Sequence, residues 1–137
     1  MGVEDLNEFF GWRAPGLHGV VFDESSQERV VGHIDVSEPL IAGTGFFFAP
    51  AIVSLADTLC AIGCGNHIPE GHSFTTVEMK TNFLSSARLG ERVVGVATPI
   101  HLGRKTHVWD VEVTNETTGR TMALFRCTQM ILESRRD

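Results

Sequence analysis

One acidic residue stands out by its surroundings. Asp57 lies in the run FAPAIVSLADTLCAIGCG, Phe48 to Gly65, and between Glu38 and Glu70 it is the only side chain with a full charge at neutral pH. A carboxylate buried without a partner is expensive, so such groups are paired, protonated or employed. On a helix its i±3 and i±4 neighbours are Val53, Ser54, Cys60 and Ala61, and no Lys or Arg on that helix neutralises it. Desolvation is expected to raise its pKa and make it a base or nucleophile suited to neutral pH. Attack on an acyl carbon also needs donors for the oxyanion that forms. The first turn of the same helix supplies backbone N–H groups without intrahelical acceptors, at the positive end of its dipole. Pro50 has no N–H, which leaves Ala49 as the donor. A structural acid bonded to a neighbouring strand is the competing reading of Asp57.

Ala49 and Asp57 are eight residues apart, about 12 Å along a helix. A carbonyl held at one is out of reach of the other. Two antiparallel copies about a two-fold axis would bring the helix start of one subunit to the Asp of the next.

The elements that position these groups follow from periodicity. The apolar run from Ala49 to about Cys64 predicts a long buried helix, with Pro50 in its first turn and Gly63 and Gly65 at its end. VEDLNEFFGW predicts an amphipathic N-terminal helix with Leu6, Phe9 and Phe10 on one face, placed as a lid. LHGVVFDE and RVVGHIDV, flanking SSQ, predict a hairpin. Beyond the long helix the period changes to 2. In TTVEMKTNF, Val77, Met79 and Phe83 alternate with Glu78, Lys80 and Asn82; in THVWDVEV, Trp109, Val111 and Val113 alternate with Asp110 and Glu112. With ERVVGVATPI and TMALFRCTQMIL these make four strands joined by SSARLG, HLGRK and TNETTGR. The fold class is therefore α+β, an antiparallel β-sheet wrapped around a long central helix.

The whole chain sets consistent bounds. Its 137 residues, 42% hydrophobic, are the length of one domain, expected to span 1–137. The longest apolar stretch is broken by Gly43, Gly45, Pro50 and Asp57, short of the roughly 18–20 residues of a membrane span. The acidic N-terminus has no basic segment or apolar core of an export signal, and Cys60, Cys64 and Cys127 read as reduced, packed thiols, so a cytoplasmic location is expected. A net charge of −6 argues against nucleic acid or anionic membrane as a partner. Cys60, Cys64 and His67 have no evident fourth ligand, so no metal is expected. Asn115 opens a glycosylation sequon without a secretory signal.

Read together, IVSLADTL, NFLSSARLGE, HLGRKTHVWDVEV and TGRTMALFRCTQMIL, in this order from about Val30 onward, resemble the hotdog-fold acyl-coenzyme A thioesterases of the 4-hydroxybenzoyl-CoA and phenylacetyl-CoA branch. The resemblance implies an acyl-CoA thioesterase acting on an aryl or medium-size acyl group, assembled as a homodimer or dimer of dimers, with coenzyme A as part of the substrate and no other cofactor. It implies Asp57 as the catalytic carboxylate, Ala49 as oxyanion donor and Thr76 as a residue that orients the attacking group or water. Gly45, Phe48, Pro50, Thr58 and Ala61 are the implied substrate contacts around the helix. The family usually carries His-Gly-Gly at the helix start and an upstream Asn or Gln; here that stretch is Phe48-Ala49-Pro50, and no Asn or Gln precedes it in LIAGTGFFF.

Arg88, Arg104 and Lys105 lie in loops where solvated charge is the ordinary role, but their side chains suit the CoA phosphates. An antiparallel sheet is expected to bring these loops near one another at the subunit edge. Thr58 and Ser54 suit back-bonding within the helix, and Thr76 alone is a strand threonine. A non-catalytic acyl-CoA or acyl-carrier binding protein is the alternative reading. A hydratase or dehydratase stands behind it, since that chemistry needs a His where Phe48 sits. The run Phe46-Phe47-Phe48 suits either an apolar acyl pocket or the core.

Overall fold

Period-2 burial is clearest in the strand Thr106–Asn115, where Trp109, Val111 and Val113 are buried and Glu112 is exposed. The same alternation recurs along the neighbouring strands and leaves one face of the sheet apolar. The computed structural model describes residues 2–133. Helix α1 (Val3–Phe10) and the one-turn α2 (Ala14–Leu17) precede the hairpin β1 (Val21–Ser25) and β2 (Val30–Asp35). A 3-10 turn leads to α3 (Ala49–Gly65), then β3 (Ser73–Phe83), β4 (Arg92–Leu102), β5 (Thr106–Asn115) and β6 (Arg120–Leu132). All neighbouring strands are antiparallel, in the order β1-β2-β4-β5-β6-β3. The expected α+β hotdog arrangement is therefore the observed one.

Helix α3 joins β2 to β3 at the sheet's far edge and crosses the apolar face on the way, packing on β4, β2 and β5. Its Leu55, Leu59 and Cys60 are fully buried against that face. Close approach requires glycine on both sides of the contact. A Cβ at Gly95 of β4 would stand 2.9 Å from Leu59, and one at Gly63 of α3 would stand 2.6 Å from the Trp109 ring. Cys60, Cys64 and Cys127 are all buried in or beside this core. No helix is long and apolar enough to cross a membrane among the described residues.

Two local expectations change. Helix α1, expected as a lid, packs on β1, the edge of the sheet opposite β3, where the Asn7 amide bonds both the N–H and the C=O of Phe22. Leu6 is buried there, but Phe9 stays exposed beneath the Arg13 guanidinium. The other change is in β3, where Val77, Met79 and Phe83 are 52%, 44% and 50% exposed rather than half-buried. The strand is an edge, paired only with β6 and flanked by α3 among the described residues. At the β5–β6 turn, Asn115 is buried, and its side-chain oxygen accepts from the N–H groups of Thr117 and Thr118.

Candidate active site

Helix α3 is not enclosed on all sides. Val53, Ser54, Asp57 and Ala61, spaced three and four apart, form a half-buried stripe on its open side. Strand β3 runs beside this stripe, and Thr76 reaches across: its Oγ1 donates to Asp57 Oδ1 at 3.2 Å. Burial pushes the Asp57 carboxyl above the usual carboxylate range, partly offset by the Thr76 hydroxyl. No Lys, Arg or His forms a salt bridge with Asp57 among the described residues. The group is thus a base-competent carboxylate with one orienting donor.

A β-bulge puts Thr76 there. The β3–β6 register skips from Thr76↔Gln129 to Glu78↔Thr128, leaving Val77 unpaired. Thr76 consequently shares the helix-facing side with Met79, Thr81 and Phe83, although it differs from them in parity. Strict alternation, as read from the sequence, would give that place to Val77.

At the other end of α3, Phe48 precedes the first turn, with Pro50 in it. The N–H of Phe48 goes to Leu40 O and that of Ala51 to Phe48 O, whereas the N–H of Ala49 meets no acceptor among the described residues. Ala49, Phe48 and Pro50 are exposed in the subunit. Phe47 is core, 4% exposed, and its neighbours Phe46 and Phe48 point outward enough to be 37% and 43% exposed. Gly45 takes a left-handed conformation (φ +89) in the tight turn that leads to the helix. Thr58 bonds back to the carbonyl oxygen of Ser54 at 2.6 Å, and Ala61 lies half-buried on the open stripe.

The basic loops do not converge within one subunit. Arg88 stacks over Phe46, 5.1 Å from the ring centroid, in a cleft of about 570 Å³ that includes Arg120 from the start of β6. Arg104 and Lys105 form the β4–β5 turn at the opposite end of the strands, in a cleft of about 540 Å³ with His67, His72 and His107. Antiparallel β4 and β5, ten or eleven residues each, hold the two ends apart. Among the described residues no three His, Cys, Asp or Glu side chains converge as metal ligands.

Two polar residues of this face escaped sequence reasoning. Gln129 and His107 are opposite one another on β6 and β5, both buried, in the same row as Thr76. The signal was an interrupted alternation: Phe125, Cys127 and Ile131 set an apolar register that Gln129 breaks.

An antiparallel sheet curled over one long helix is the hotdog arrangement, and comparison with known proteins gives the chain its family. The family model of the thioesterase superfamily matches residues 44–122. The chain belongs to the thioesterase superfamily and is a thioesterase. It is 36% identical over 131 residues to a 1,4-dihydroxy-2-naphthoyl-CoA hydrolase of Escherichia coli, covering 95% of this chain and 94% of that protein. A solved thioesterase of Pseudomonas aeruginosa superposes with TM-score 0.89 at 27% identity, covering 96% of this chain and 94% of the other. A Haemophilus influenzae thioesterase shares the fold at TM-score 0.91 and 22% identity, covering 99% and 94%.

Proposed function

We propose that the protein hydrolyses the thioester of an acyl-CoA with an aryl or medium-size acyl group, using Asp57 as the catalytic carboxylate. The observation that carries this reading is the half-buried Asp57, raised in pKa by burial, held by Thr76 and without a cationic partner among the described residues. In the general-base form, Asp57 takes a proton from water as the oxygen adds to the thioester carbon. The carbonyl oxygen becomes an oxyanion and accepts the N–H of Ala49. The C–S bond then breaks, and the leaving thiolate takes up the proton held by Asp57, giving a carboxylic acid and free CoA. In the nucleophilic form the carboxylate itself adds to the carbon, the C–S bond breaks to expel the CoA thiolate, and water cleaves the resulting anhydride, its proton passing to the thiolate.

Ala49 and Asp57 are separated by two turns of one helix, so the donor comes from a second subunit. The exposed Met79 and Phe83 beside the open stripe of α3 support such a contact. The relative named for 1,4-dihydroxy-2-naphthoyl-CoA supports an aryl group among the possible acyl groups. Arg104 and Lys105 from one end of the sheet, and Arg88 from the other end of a partner, are the candidate phosphate contacts. Thiol release from a panel of aryl and aliphatic CoA esters tests the reading. Turnover that falls at least about a hundredfold in Asp57→Asn, the scale of a positioned base, is the expected result. Undiminished thiol release in Asp57→Asn would overturn the role of Asp57.

A further inference from the structure

Among the described residues, the buried side-chain nitrogen and oxygen atoms without a protein hydrogen-bond partner belong to His72, His107, Trp109 and Gln129. Gln129 is the extreme case: it is wholly buried, and neither Nε2 nor Oε1 meets a partner. An enclosed amide with nothing to bond destabilises a fold, and such a group persists where a neighbour or a bound water uses it. The sheet register shows which neighbours are available. Gln129 is opposite Thr76 on one side and His107 on the other. Directly paired residues share a face, and the Thr76–Asp57 bond marks it as the face toward α3.

Opposed residues have Cβ atoms about 4.5–5.5 Å apart, which a carboxamide spans by one side-chain rotation or through one water. The Thr76 hydroxyl spends its single proton on Asp57 and retains two acceptor lone pairs. Gln129 Nε2 holds two N–H groups without an acceptor. Because Gln129 is fully enclosed, it does not touch substrate and acts through Thr76. We propose that Gln129 is a positioning residue: its carboxamide N–H, given to Thr76 Oγ1 directly or through one buried water, fixes the hydroxyl proton on Asp57, and its carbonyl oxygen accepts from His107 Nδ1. A donor to the Thr76 oxygen strengthens that hydroxyl's own donation, so the three groups polarise one another.

This inference rests on Asp57 as the catalytic carboxylate. The titratable neighbour whose charge couples to Asp57 is the Cys60 thiol one turn along α3, held neutral by burial. Beside Gln129 it is His107, held neutral by burial and by His67 and His101. The test measures the Asp57 pKa by carboxyl NMR, and kcat and KM across pH, in wild type, Gln129→Leu, Thr76→Val and the double variant. Gln129→Leu is expected to raise the Asp57 pKa by roughly half a unit to one unit, through weaker hydrogen bonding to the charged form. It should lower kcat about three- to tenfold, the scale of one hydrogen bond, with KM unchanged and thermal stability equal or higher. Added to Thr76→Val, it should do nothing further. An unmoved Asp57 titration, or a full additional loss on top of Thr76→Val, overturns the proposal. Gln129→Met provides a second apolar replacement, and failure of both to fold makes Gln129 structural and also overturns it. The NMR titration needs no substrate, so it remains decisive even if Asp57→Asn retains turnover and the proposed function falls.

Discussion

In the proposed reaction Asp57 works under two opposing influences, burial that raises its pKa and the Thr76 hydroxyl that lowers it. Removing the second while keeping the first has a definite sign. In Thr76→Val burial acts alone, the Asp57 pKa rises, and the acidic limb of the kcat–pH profile moves to higher pH. At the plateau, loss of one hydrogen bond costs about 0.5–1.5 kcal/mol, a roughly two- to twelvefold drop in kcat. A profile that keeps its acidic limb would show that Thr76 does not orient the catalytic group. Asp57→Asn carries the complementary expectation for stability. The folded state holds the Asp57 proton more tightly than the unfolded one, so its contribution is fully present below the unfolded value and is lost as pH rises through the folded value. At neutral pH the Asn variant should therefore melt at or above the wild-type temperature while losing turnover. A large drop in melting temperature with activity retained would make Asp57 a structural acid.

At the scale of elements, the site depends on how closely α3 lies on the sheet. Gly63 is a poor helix former in its own right, yet a Cβ there would meet the rigid Trp109 ring at 2.6 Å. Gly63→Ala is therefore expected to destabilise by about 1–3 kcal/mol, the overpacking cost exceeding the propensity gain. Differential scanning calorimetry checks it, and an equal or raised melting temperature would show that the helix–sheet contact yields easily. The bulge in β3 is the second element-level device. It turns Thr76 toward α3, whereas strict alternation would present Val77 there. The residues of TTVEMKTNF are legible as a strand, but the register skip is not, because a bulge is fixed by pairing with β6 and leaves no distinct local pattern.

For the whole molecule, two properties follow from what one subunit leaves open or encloses. Met79 and Phe83 are exposed along an edge strand next to the open stripe of α3, a combination that favours a second copy. Met79→Asp should lower the sedimenting mass by half or more and abolish turnover together; a fully active monomer would count against a shared site. Ala49→Pro and Asp57→Asn, each inactive alone, should partly recover activity when co-refolded into mixed dimers. His107 supplies the other property. Burial, then the charges of His67 and His101, hold its pKa below the usual histidine value. The unfolded chain protonates it near pH 6.5 while the folded one resists, so its stabilising contribution is full above that pH and lost as pH falls through the folded value. Urea midpoints measured from pH 7.5 down to pH 5.5 should fall less in His107→Gln than in wild type.

The periodicities alone determined the order of elements, the long helix from Ala49, the strand set and the isolation of Asp57, because hydrophobic pattern and turn residues act locally. Trp109, Val111 and Val113 face the core as their alternation required. Tertiary structure decided what depends on contacts between distant segments. It put α1 on the β1 edge, set Thr76 on the carboxylate through a bulge, placed Arg88 and Arg104 at opposite ends of the sheet, and gathered Gln129 and His107 into one row with Thr76. The physical reason is common to all four: each is set by strand order and register, which local sequence preferences do not encode.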